Sequence, residues 1–479
     1  MKLLSKYNNM AVQAKASIWY TICNFFQKGI SFFVVPIYVR LLSTAEYGEW
    51  SVFQSWANIL IIFASLNLYC GVYTKALVNI PDSKERDKYT SSMQGLGTIT
   101  TLFFLAIYAF SHDWANKAIG LNTGLMLLLF LYFIVYPAFS FWGTRLRVEY
   151  RYKSMVVVTI LISLLTPVVS ILLLQNTDLR ANALILGYLV VQCSFGLYFY
   201  IIHFFKGRCF YEKKHWNYAL KFNIPLIPHY LSLIVLGQSD RIMIKYYCGD
   251  SDAGIYSFAY QLASTLYVLI SAINGSRVPW TYEQLKQRTY DKLISVTNLL
   301  LLLMAGVTLM ISLVSPEIIK LLGTPDYNIA IFVIPVVVLG VYFTFVYDLF
   351  ASIEFFYGAT KYVMYASVTG AVLNIVLNAI FIPIFGFIAA AYTTLICYII
   401  FMLMHYVFAK KVIKEQNITA PVYNNKTIFA LSTIIGTICL CCMATFSYIF
   451  LRIFLISVLV GICFFKRNTI KKLLLTLRN

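Results

Sequence analysis

Fourteen stretches of roughly 18 or more mostly apolar residues, the length that crosses a bilayer as a helix, follow one another along the 479-residue chain. They lie near 16–41, 51–76, 92–110, 118–142, 155–174, 181–205, 219–246, 253–276, 293–314, 329–356, 362–383, 386–409, 427–449 and 451–465, the last being short. Connections between them are brief, the longest about 17 residues, which leaves no room for an extramembrane domain. The pattern predicts an all-α polytopic membrane protein of about 14 transmembrane helices.

The stretches form two related sets. The segment Leu42-Ser43-Thr44-Ala45-Glu46-Tyr47-Gly48-Glu49-Trp50-Ser51 is echoed by Tyr247-Cys248-Gly249-Asp250-Ser251-Asp252-Ala253-Gly254-Ile255-Tyr256-Ser257, with Gly48 and Gly254 206 positions apart. The same offset carries the start of the sixth stretch, Ala181-Asn182-Ala183, onto that of the twelfth, Phe387-Ile388-Ala389. Internal repetition of a hydrophobic architecture is the ground plan of many secondary transporters, whose pathway lies between the repeats. The expected organisation is an N-terminal lobe, 1–208 (spans 1–6), a C-terminal lobe, 209–414 (spans 7–12), and an appendage, 415–479, with spans 13 and 14 and a basic tail. The lobes are expected to be pseudo-symmetric six-helix bodies.

Composition agrees: 60% of residues are apolar and 12% charged, with a mean hydropathy of +0.76. The net charge of +19 could suggest nucleic acid, but its placement excludes that reading. Of 38 Lys and Arg residues, 30 fall in alternate connections and the two tails. This positive-inside asymmetry puts both termini in the cytoplasm and makes the number of spans even. The first apolar stretch contains Lys28, lacks a small-residue cleavage site and reads as a retained span. None of the ten cysteines has metal or redox spacing; Cys439-Leu440-Cys441-Cys442 sits within an apolar span and reads as packing.

Polar residues inside spans are then the candidate chemistry. In span one, Asn24 and Lys28 share a helix face. Lys28 is about 17 Å from either end at 1.5 Å per residue, where a charge costs about 2.5–3.5 kcal/mol unless it meets water or a partner. It either lines a wet pathway or forms a structural ion pair. Span two offers Gln54 and Asn58. Span seven carries Asp240 and Arg241, which point about 100° apart on a helix and so each need their own partner or water. In span eight, Tyr256, Tyr260, Ser264, Tyr267, Ser271 and Asn274 recur at steps of three and four, one helical face. A tyrosine-rich face on an otherwise lipid-compatible helix suits the lining of a hydrated lumen. In span ten, Asp348 lies near mid-membrane. Asp348 would either pair with Lys28 or, like Asp240, take up a coupling proton or sodium ion.

Three passages carry a family resemblance: "PIYVRLLSTAEYGEWSVF"; "FNIPLIPHYLSLIVLGQSDRIMIKYY" with the "GIYSFAYQLA" that follows; and "YGATKYVMYASVTGAVLNIVLNAIFIPIFGFIAAAYTTLICYII". With them the chain resembles, over about residues 10–410, the Wzx-type O-antigen and capsule repeat-unit flippases of the multidrug/oligosaccharidyl-lipid/polysaccharide exporter superfamily. The resemblance implies translocation of undecaprenyl-diphosphate-linked oligosaccharide from the cytoplasmic to the outer leaflet of a bacterial cytoplasmic (inner) membrane, by alternating access of two lobes. It also implies ion coupling, membrane lipid and glycan polymerase machinery as partners, and no catalytic residue, metal or cofactor beyond the coupling ion. Asp240 and Arg241, in "GQSDRIMI", match the family's charged second-half entry. The rival within transport is a drug/cation antiporter of the same superfamily, for which an acidic cavity would be expected. The rival outside it, a membrane glycan polymerase, would be expected to carry a sizeable external loop.

Overall fold

The computed structural model describes residues 10–465. The basic residues of the tails, Lys2, Lys6 and those from Lys466 onward, lie outside them. The described residues are helical with no strand among them, as lipid requires of a chain that must satisfy its own backbone hydrogen bonds. The chain divides into two compact units, Met1–Ile242 and Met243–Asn479.

The first unit contains α1 (Val12–Leu41), α2 (Thr44–Ser65), α3 (Gly71–Asn79), α4 (Ser83–Ile119), α5 (Thr123–Val148), α6 (Tyr152–Asn176), α7 (Ala181–Gly207) and α8 (Lys213–Asn223). Helix α9 (Ile227–Cys248) runs across the division. The second unit continues with α10 (Asp250–Ala263), α11 (Thr265–Gln287), α12 (Tyr290–Leu322), α13 (Ile334–Phe356), α14 (Thr360–Phe385), α15 (Ile388–Glu415), α16 (Asn425–Cys441) and α17 (Ile449–Phe465).

The acidic turn that repeats in the sequence is a helix start in both units. Ser43 and Glu46 form a reciprocal capping box at α2: Glu46 N–H donates to Ser43 Oγ at 3.3 Å and Ser43 N–H to Glu46 Oε2 at 2.8 Å. In the second unit, Gly249 (φ +97°) ends α9 in a backbone conformation that favours glycine, and Asp250 and Asp252 occupy the first turn of α10.

Each of the fourteen expected spans corresponds to a helix or a broken helix, and among the described residues twelve are long and apolar enough to cross a membrane. The second and fourteenth fall short of that measure. The second was expected to be continuous over 51–76. Instead α2 stops at Ser65, and Leu66 and Asn67 adopt left-handed conformations (φ 50° and 49°) before α3 begins. The break is held by Asn223, whose Nδ2 donates to Leu66 O (2.8 Å) and Asn67 O (3.1 Å), satisfying carbonyls that a helix would have used. Below it lies an apolar cluster of Tyr73, Leu77, Met93 and Phe141.

Helix α7 packs closely on its neighbours through glycine. A Cβ on Gly187 would lie 2.6 Å from Ser170 Cα of α6, and one on Gly196 would lie 2.8 Å from Val135 C of α5. Small residues at such contacts supply the packing that replaces the hydrophobic drive in lipid. In the second unit, α13 is buried along almost its whole length. Helices α16 and α17 dock on this unit: Ser432 bonds Tyr342 (3.3 Å), Cys439 bonds Ser312 (2.9 Å), and Arg452 Nη1 reaches both oxygens of Glu317 at 2.5 and 2.6 Å.

Candidate functional site

The polar stripe on α1 leads into a cavity of about 610 Å3 within the first unit. Tyr20, Cys23, Asn24 and Gln27, one helical face, line it from α1; Tyr69 and Cys70 enter from the break after α2. The facing wall is α5, with Tyr136, Ser140, Gly143, Thr144 and Arg147. A Cβ on Gly143 would meet nothing within 4 Å, so this glycine keeps part of the cavity open.

Arg147 is the cation of this cavity. Its neighbour Arg145 is occupied, bonded to Asp87 and to Glu149 (2.8 Å). Among the described residues no carboxylate pairs with Arg147, which is exposed on the cavity wall. A free guanidinium beside amide and hydroxyl groups is suited to a planar or tetrahedral oxyanion, which it can grip with two parallel N–H bonds. Hydropathy ends span four at residue 142 and predicts Arg147 in a connection; helix α5 instead continues to Val148 and carries it on the same face as Tyr136 and Ser140. The signal is present in the sequence as polar residues Tyr136, Ser140, Thr144 and Arg147 at steps of four, four and three.

In the second unit the buried charge is Arg277, 1% exposed. Its Nη2 donates to Asp348 Oδ2 at 2.7 Å and its Nε to Asn274 Oδ1 at 2.8 Å; Asn274 Nδ2 donates to the same Asp348 oxygen at 2.6 Å. Ser352 Oγ lies 3.4 Å from both terminal nitrogens. Arg277 was counted in a cytoplasmic connection; α11 runs on to Gln287 and places it within a helix. Also in the second unit, Asn374 and Asn378 of α14 bond to each other and to Thr394 and Thr393 of α15, a buried polar ladder that ties two helices together.

The sequence candidates therefore have different fates. Asn24 lines the cavity, whereas Lys28 is exposed and lies off its lining. Asp348 is held by Arg277 and Asn274, which replaces the expected alternative of a pair with Lys28. Gln54 is half-buried and Asn58 exposed on α2. Asp240 and Arg241 are buried, and Arg241 Nη1 donates to Gly237 O (2.9 Å) and to Gln238 Oε1 (3.0 Å), the latter also bonded by Ser55. Tyr260 is buried, and Ser264 marks the break between α10 and α11. Tyr267 donates to Tyr398 at 3.4 Å, Ser271 is exposed, and Asn274 belongs to the charge network. The stripe in span eight is thus divided by the break, and its lower end serves Arg277 and Asp348.

This arrangement, helices with buried polar networks and no strand among the described residues, is the fold of known membrane transporters. A lipid II flippase, MurJ, in an inward closed conformation matches with a TM-score of 0.69 at 15% identity, covering 95% of this chain and 100% of that one. An inward-facing multidrug resistance MATE transporter of the MOP superfamily (the multidrug/oligosaccharidyl-lipid/polysaccharide exporters) matches with a TM-score of 0.61 at 12% identity, covering 82% and 96%. Among sequences, a Haemophilus influenzae protein described as an uncharacterised membrane protein is 26% identical over 75% of this chain and 88% of its own length. Lsg locus putative protein 1 of the same species is 25% identical over 57% and 67%. The fold is accordingly that of the MOP-superfamily transporters. The polysaccharide biosynthesis protein family matches residues 14–284 and the MatE family residues 225–380; the chain belongs to the former.

Proposed function

We propose that the protein is a flippase that moves undecaprenyl-diphosphate-linked oligosaccharide repeat units from the cytoplasmic to the outer leaflet of a bacterial cytoplasmic membrane by alternating access. The observation that carries this reading is the first-unit cavity with its unpaired Arg147. A lipid-linked glycan combines a hydrated sugar, a diphosphate and a long apolar tail. Tyr20, Tyr69, Tyr136 and Asn24 offer ring faces and hydrogen bonds to the sugar, Arg147 offers charge to the diphosphate, and the tail stays in lipid. A lipophilic cation would be repelled by Arg147, which disfavours drug efflux. The likeness to a lipid II flippase and the family match to polysaccharide biosynthesis proteins support the same class of cargo. Like other flippases, it would act beside the glycan polymerase machinery without catalytic residues of its own.

Gly143→Leu tests the cavity itself. The added side chain enters open space on α5, so the protein is expected to accumulate normally while glycan export in a strain dependent on it falls severely. Normal export with the cavity filled would remove it from the pathway.

The orientation rests on the basic connections and has its own test. In a cysteine-free background, cysteines at Ser83 or Gln287 are expected to resist an impermeant thiol reagent in intact cells, while those at Asp113 or Ser251 label. All four positions are exposed. The reverse pattern would invert the topology.

A further inference from the structure

A second buried acid–base pair lies on α13 and α15, apart from the Arg277 network. His405 Nδ1 and Glu354 Oε1 are 2.9 Å apart, and both side chains are 0% exposed. Their outer atoms, Glu354 Oε2 and His405 Nε2, have no hydrogen-bond partner among the described residues. Aromatic rings wall the pair in: Tyr347 stacks on His405 with centroids 5.3 Å apart, and Phe401 meets it edge-on at 4.6 Å.

As a structural fastening this pair is poorly made. A buried polar atom without a partner is destabilising, and an apolar pair of the same volume is often as stable or more so. Its protons explain its chemistry better. The pair can be written as glutamate with imidazolium or as glutamic acid with imidazole; both hold one proton between the two residues and both are neutral overall. In either form Nε2 keeps a hydrogen with nothing to receive it, and Oε2 keeps lone pairs with no donor. Gaining or losing one proton would leave a net charge in a dry interior, so the sealed pair holds its proton count fixed.

Other titratable groups around it are already engaged or lie away from the carboxyl. On α13 itself, Asp348 is bound by Arg277 of α11 and by Asn274. From the segment before α16, Tyr423 donates to Leu349 O (3.1 Å), and on α15 Tyr398 is bonded by Tyr267. On α14, Tyr362 donates to Glu415 (3.4 Å) and has Lys361 and Lys411 over its ring. His405 is the titratable group in direct hydrogen-bond contact with Glu354.

We propose that Glu354 and His405 form a proton-binding site, closed while α13 and α15 are packed together and exchanging a proton with water when they part. Glu354 stands two residues before the end of α13, within one turn of the connection that the basic residues assign to the cytoplasm, so a small opening suffices. Separation of these helices is thereby linked to proton uptake or release. This inference does not depend on the identity of the cargo.

The test is a pH titration of the full-length protein in liposomes followed by infrared difference spectroscopy. The expected result is a pH-dependent carboxyl C=O band in the wild type that Glu354→Gln abolishes. His405→Gln keeps a hydrogen-bonding group beside the carboxyl but removes the imidazole, and should move the band's titration midpoint by about one pH unit or more. The His405→Gln arm stands even should Glu354→Gln accumulate poorly. Persistence of every pH-dependent carboxyl band in Glu354→Gln, or an unmoved midpoint in His405→Gln, would overturn the proposal. Because no glycan is present, this outcome is separate from that of the flippase reading.

Discussion

Arg147→Gln is expected to reduce glycan export roughly 10- to 150-fold at limiting substrate, the loss that corresponds to one charge-assisted contact of about 1.5–3 kcal/mol. The expected change in protein abundance is small, because Arg147 is exposed on the cavity wall and anchors no neighbour. Glutamine retains length and hydrogen bonding, so the difference isolates positive charge. Arg147→Lys should fall between the two: lysine keeps the charge but binds a phosphate as a point charge without the guanidinium fork. Export corrected for protein level is the measurement. A Gln variant that exports like wild type would remove the diphosphate from this cavity. The adjacent Arg145 provides the contrast. It is held by Asp87 and Glu149, so its loss should appear as lower abundance.

The contrast between these two arginines shows where sequence reading succeeds and where it stops. Hydrophobic runs locate the helices because burial in lipid is a property of whole segments, and the acidic echo located two helix starts because capping is local. Asn24 was legible as a polar residue within an apolar span, on one face with Lys28 four positions on. Arg147 and Arg277 were missed for one reason: a hydropathy window closes a span at its first cation, while the helix continues. Arg277 extends α11 into the protein because Asp348 and Asn274, 71 and 3 positions away in sequence, meet its charge there. Lys28 is exposed and off the lining of the first-unit cavity, since depth along a helix does not fix which face a residue shares. The breaks after Ser65 and at Ser264 were invisible because neither contains proline or glycine. The first depends on Asn223, more than 150 residues distant.

Asp348→Leu is expected to be the most damaging single change in the second unit, and far worse than Arg277→Met. The two partners are unequally buried, Arg277 at 1% exposure and Asp348 at 29%. Removing the carboxylate strands a guanidinium in the interior, and breaking a buried pair from one side costs about 3–5 kcal/mol, a large part of the stability of a typical domain. Removing the arginine instead leaves a carboxylate that is partly wet and still bonded by Asn274. The double variant Arg277→Met/Asp348→Leu strands neither charge and is expected to recover most of the protein level. It should recover export as well, because every bond of this network closes within the unit: Arg277 to Asp348 and Asn274, Ser352 to the Asp348 carbonyl at 2.6 Å. The measurement is membrane abundance and export for the two single variants and the double. A double variant that accumulates normally yet exports nothing would show that Asp348 does more than neutralise Arg277, and would return it to the role of an ion-binding carboxylate.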